Sequence, residues 1–125
     1  MDTMPKKKVL IVEDDEVIRK VLVEIIAASN KDVEILETDN LEEARTILQK
    51  TNLYALSIDG EFYETRDKKT KGVFCNDLAE EAKKYNVGKI IGVSASPDKF
   101  KSDLFAIILD KSKLTLSEYI NMLLG

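Results

Sequence analysis

At 125 residues, with a net charge of −4 and a pI near 5.0, the chain is expected to form a single domain, residues 1–125, with its own core and without the basic face that nucleic acid requires. It contains no histidine, which excludes Ser-His-Asp and Cys-His nucleophile systems, histidine-ligated zinc and a phosphohistidine carrier. The lone cysteine, Cys75, can form no internal disulfide, no apolar run approaches the ~20 residues of a membrane span, and Met1-Asp2-Thr3-Met4-Pro5-Lys6 lacks the apolar stretch of a signal peptide, so the expectation is a cytoplasmic protein without membrane contact.

Lys6, Lys7 and Lys8 read as a solvated lead-in to residues 8–12, an apolar run ending in acids that marks a buried first strand. Over 15–29, Val17, Ile18, Val21, Leu22, Ile25 and Ile26 recur at helical spacing. Residues 33–37 form a second short strand. Asn40 with Glu43 is a capping box that opens a helix through Gln49, and 54–58 is a third strand. The polar stretch 60–72, with Arg66, Lys68, Lys69 and Lys71, reads as a solvated loop. A helix over 73–85 carries Val73, Phe74, Leu78 and Ala82, with Cys75 as a small apolar residue. Residues 89–93 are a fourth strand. Ser96 and Pro97 look like a helix start, but only 97–104 are available, at most about two turns. A fifth strand spans 105–109, with Phe100 and Phe105 expected in the core. Thr115 with Glu118 caps the last helix, whose apolar stripe is Leu116, Tyr119, Ile120 and Leu123.

This alternation predicts an α/β fold: a flavodoxin-like (βα)5 sandwich with a parallel five-stranded sheet of order 2-1-3-4-5 and a shortened fourth helix. The chemistry lies just past the strands. Glu13 and Asp14 follow the first, Asp59 ends the third, Ser94 follows the fourth and Lys111 follows the fifth. The proposed order brings these to one rim. Converging carboxylates repel unless a cation intervenes, and Mg2+ suits hard oxygen ligands joined to a phosphate. Glu13, Asp14 and Asp59 are the candidate metal ligands, completed by a backbone carbonyl near Glu61. Lys111 offers a charge and Ser94 a hydroxyl to phosphoryl oxygens, and a carboxylate can serve as nucleophile.

Val9-Leu10-Ile11-Val12-Glu13-Asp14-Asp15, followed by Ile18-Arg19, resembles the opening of response-regulator receiver domains. Asp59, Val93-Ser94-Ala95 and Lys111 match that family's pattern in order, and the resemblance covers 6–124. It implies that Glu13 and Asp14 hold the metal, that Asp59 accepts a phosphoryl group from a histidine kinase or phosphotransfer protein, and that Ser94 and Lys111 read it. With no effector domain after Gly125, the output would be binding to a downstream protein, unless the chain is a fragment of a longer one. The chain would not be an enzyme beyond assisting its own phosphorylation and dephosphorylation.

The departures are specific. Ser112 stands where the family usually has proline, and Ile108 stands where it has an aromatic switch residue. The segment after Asp59 is longer than usual, and that between Ser94 and Lys111 is shorter. These differences raise a pseudo-receiver, the same fold used as a non-phosphorylated interaction module. A phosphatase using Asp59 is a further alternative, with Glu61 only loosely in place of its second acid.

Overall fold

The computed structural model describes residues 7–29 and 32–125; Lys6 and the start of the chain lie outside them. The elements in chain order are β1 (Lys7–Val12), α1 (Glu16–Ser29), β2 (Val33–Thr38), α2 (Leu41–Lys50), β3 (Ala55–Asp59), β4 (Phe62–Tyr63), β5 (Lys71–Gly72), α3 (Cys75–Lys84), β6 (Ile90–Ser94), β7 (Ile107–Asp110) and α4 (Leu116–Leu124). The sheet order is β2-β1-β3-β6-β7, all parallel. Counted by its own strands this is the expected 2-1-3-4-5, because β4 and β5 form a separate antiparallel pair. No helix among the described residues is long and apolar enough to cross a membrane.

The three middle strands read as near-continuous apolar runs because helices cover both faces of the sheet. Leu10, Val12, Leu56 and Ile58 face α2 and α3, where they meet Leu41, Leu48, Leu78 and Ala82. Val9, Ile11, Ala55, Ile91 and Val93 face α1 and α4, where they meet Leu22, Ile26, Tyr119 and Leu123. The Tyr119 ring is fully buried, and its hydroxyl donates to Ser57 Oγ at 2.8 Å beneath the centre of the sheet. Asp15 caps α1 through the N–H groups of Val17 and Ile18. Asn40 accepts from the N–H of Glu43, and Thr115 accepts from that of Glu118, as both capping signatures predict. Phe100, Phe105 and Cys75 are buried, as expected.

The fourth helix is shortened, as expected, and further than its sequence indicates: there is no α-helix between β6 and β7. Two 3-10 turns, Pro97–Lys99 and Ser102–Leu104, make the crossover, and Ser96 makes no capping bond with its side chain. Asn76 of α3 supplies a reason. Its amide donates to the Lys99 carbonyl at 2.9 Å and accepts from the Lys101 N–H at 2.8 Å, as a neighbouring strand would. That clamp holds Phe100 and Lys101 in extended backbone, through which a helix cannot pass.

The stretch 60–72 also differs from a solvated loop. β4 and β5 form a hairpin fastened to the start of α2: the Tyr63 N–H donates to the Asp39 carbonyl at 3.0 Å, and the Glu42 N–H donates to the Glu64 carbonyl at 3.0 Å. Phe62 is fully buried and meets Phe74 edge-on. Three of the four cations are paired, Lys68 with Asp39 at 3.0 Å, Arg66 with Glu43 at 3.9 Å, and Lys71 with Asp14. In α1 the expected apolar face is only partly covered. Leu22 and Ile26 are buried, whereas Val17, Ile18 and Val21 are exposed.

Candidate functional site

Strand register brings the acids together. Val12 pairs with Ile58, so the residues that follow, Glu13 and Asp59, leave adjacent strands at the same level. One carboxylate oxygen from each of Glu13, Asp14 and Asp59 lies within 4.8 Å of the others. Glu13 is 2% exposed and Asp59 9% exposed, which is costly for acids without cationic partners. Arg19, one turn into α1, holds this corner by donating to the Glu13 carbonyl at 3.0 Å.

Lys111 reaches the cluster from the loop after β7. Its ammonium donates to Glu13 Oε1 at 2.6 Å and to Asp59 Oδ1 at 3.1 Å. The Lys111 N–H also donates to the Ser94 carbonyl at 3.0 Å, which ties the lysine loop to the end of β6. Ser94 is buried, and its hydroxyl oxygen accepts from the Ser96 N–H at 3.0 Å. Gly60 lies against that hydroxyl: a Cβ there would stand 2.7 Å from Ser94 Oγ. The Gly60 N–H donates to Asp59 Oδ1 at 2.8 Å.

Burial, together with Asp14 and Glu13, pushes the Asp59 carboxyl up to about 8, against the pull of Lys111. Burial pushes Asp14 the same way, but Asp59 and Lys71 outweigh it and leave Asp14 below the usual carboxylate range. For Lys111, burial disfavours the charge, yet Glu13 and Asp59 hold its ammonium above its ordinary value. A cluster of hard carboxylate oxygens at strand ends fits a small divalent cation such as Mg2+.

Of the sequence candidates, Glu13, Asp14, Asp59 and Lys111 meet in one cluster, and Ser94 lies at the same rim. The Glu61 side chain does not join the acids; it pairs with Lys99. Two cations escaped the sequence reading of the site. Lys71 binds Asp14 from β5, and Lys99 covers Gly60 and Glu61 from the crossover. The basic run in 60–72 was the visible signal for the first; nothing local marks the second.

No protein-family model and no curated protein matches the chain. Solved structures do. A response regulator receiver domain (CheY-like) from Methylobacillus flagellatus superposes with a TM-score of 0.71 at 15% identity, over 91% of this chain and 92% of that one. The response regulatory domain of protein mrkE from Klebsiella pneumoniae gives 0.70 at 22% identity, over 92% and 90%. A Burkholderia pseudomallei response regulator, solved with a phosphorylated aspartic acid, calcium ion and citrate, gives 0.71 at 13% identity, over 94% of this chain and 66% of that one. The fold is that of CheY-like receiver domains.

Proposed function

We propose that this chain is a phosphoacceptor switch, in which Asp59 takes a phosphoryl group from the phosphohistidine of a kinase or phosphotransfer protein in a magnesium-dependent way. The observation that carries the reading is the Lys111 ammonium bridging Glu13 and Asp59 inside a cluster of strand-end carboxylates.

Asp59 Oδ1 is held by the Gly60 N–H and by Lys111, which leaves Oδ2 as the attacking oxygen. A bond forms from Oδ2 to phosphorus as the donor's phosphorus–nitrogen bond breaks, and the electron pair leaves with the imidazole. Lys111 then balances charge on a phosphoryl oxygen while the Ser94 hydroxyl donates to another. A divalent ion held by Glu13, Asp14, Asp59 and a carbonyl near Glu61 would favour the ionised acids and neutralise phosphoryl charge. This chain's residues position and neutralise; they act on their own aspartate and on no second substrate.

An apolar groove of about 260 Å³ beside Lys111, lined by Val17, Ile18, Val21, Val93 and Leu116, supports docking of a phosphodonor protein. A downstream protein target in the cytoplasm completes the reading. The missing helix before β7, with Ile108 in place of an aromatic ring, favours a second reading as a non-phosphorylated interaction module.

Acetyl phosphate with magnesium, followed by intact mass, separates the two. The switch gains one phosphoryl group and Asp59→Asn gains none. No gain by the wild type, with no beryllofluoride binding, would promote the interaction module.

A further inference from the structure

We propose that Lys71 is a tethered counter-cation that competes with the divalent metal for Asp14, so that the β4–β5 hairpin sets the metal affinity of the site. This rests on the phosphoacceptor reading above.

Each acid of the cluster has a cation. Lys111 serves Glu13 and Asp59. The partner of Asp14 arrives from a different element: Lys71 Nζ binds Asp14 Oδ2. The hairpin that carries it is not a loose arm. Its backbone is bonded to the start of α2 through Tyr63 and Glu64, and the Glu64 N–H donates to the Thr70 carbonyl at 2.8 Å, which closes the far end. Lys68 adds its ion pair to Asp39 at 3.0 Å, and the buried Phe62 pins the near end. Lys71 Nζ lies over the Tyr63 ring, 6.0 Å from its centroid. A fixed backbone thus delivers an ammonium on a flexible stem to one oxygen of a candidate metal ligand.

That carboxylate is one of the three from which a divalent ion would draw its ligands. Two cations at one carboxylate repel, so bound metal and seated Lys71 exclude or weaken each other. The coupling is reciprocal: whatever Lys71 costs the metal, the metal costs Lys71. Lys71 is also 43% exposed at its side chain, so it can leave Asp14 for water without disturbing the hairpin backbone.

The test is calorimetric titration of Mg2+ into the full chain, comparing wild type with Lys71→Gln, Lys71→Arg and the control Lys50→Gln, which makes the same charge change on the exposed end of α2. Lys71→Gln should bind Mg2+ about tenfold more tightly, Lys71→Arg should follow the wild type, and the control should change little. Metal-free Lys71→Gln should melt at a lower temperature than wild type, because Asp14 has lost its counter-ion. A second readout needs no variant: reductive methylation of Lys71, located by peptide mass, should speed up when Mg2+ is added to the wild type. Equal Mg2+ affinity in wild type and Lys71→Gln, or methylation unchanged at saturating Mg2+, overturns the role of Lys71 and leaves the metal site standing. Absence of Mg2+ binding in every variant overturns the metal site itself, and the proposal with it.

Discussion

Because burial beside Asp14 and Glu13 pushes the Asp59 carboxyl up to about 8, the folded chain keeps a proton that the unfolded chain, with an ordinary carboxyl near 3.9, gives up. The folded pKa is raised, so this proton favours folding most at acid pH. That contribution is lost as pH climbs from about 4 to about 8, at a slope of at most ~1.4 kcal/mol per pH unit. Asn mimics the protonated acid and does not titrate. In EDTA, Asp59→Asn should therefore exceed the wild-type melting temperature by a margin that widens from about pH 4 to about pH 8; a constant margin would show that Asp59 titrates normally. At this scale much of the site was readable in sequence. Glu13, Asp14, Asp59, Ser94 and Lys111 all sit at or just past a strand end, and a parallel sheet aligns its strand ends. Lys71 and Lys99 were not readable as partners, because long side chains reaching from other elements choose their acids only in three dimensions.

At the scale of elements, the sheet and the helices α1 to α4 were legible from periodicity and caps, within a residue or two at most ends. The hairpin was not. Two-residue strands carry no alternation to read, and the bonds that fasten 60–72 to the rest of the chain run to the start of α2, far off in sequence. The crossover from β6 was legible as a shortened helix but not as two 3-10 turns, because its shape is imposed by the Asn76 amide, a residue of α3. On the phosphoacceptor reading, both departures bear on signalling. Ile108 has no polar tip to swing between buried and exposed positions, whereas the hairpin follows Asp59 directly and touches the site through Lys71. Hydrogen exchange with and without beryllofluoride should therefore change most over 60–72. Changes concentrated in 97–108 and α4 would place the output there instead.

At the scale of the molecule, one apolar surface lies beside the acidic rim. Val17 is 72% and Leu116 50% exposed, and both line the groove next to Lys111. A small phosphodonor needs no such surface; a protein donor does. Val21→Glu should accept phosphoryl from acetyl phosphate at the wild-type rate but from a phosphohistidine protein about tenfold more slowly, equivalent to ~1.4 kcal/mol of lost docking. Equal slowing with both donors would mean that the substitution damages the site and not the docking.

The same whole-molecule view bears on how the fold comes apart. Three of the four connections between sheet strands contain an α-helix with its own ladder of backbone bonds; the one between β6 and β7 has only two 3-10 turns and the borrowed amide of Asn76. β7 is an edge strand with one neighbour, and all four of its residues are partly exposed. Detaching 95–110 therefore breaks few backbone bonds and leaves β2, β1, β3 and β6 paired. What holds this segment to the sheet is mainly side-chain burial, through Phe100, Leu104 and Phe105, and hydrogen exchange over 95–110 measures how often that hold opens. Lys111 follows immediately after it, so each such excursion also withdraws the ammonium from Glu13 and Asp59. The acidic site is then only as persistent as the attachment of this edge of the sheet.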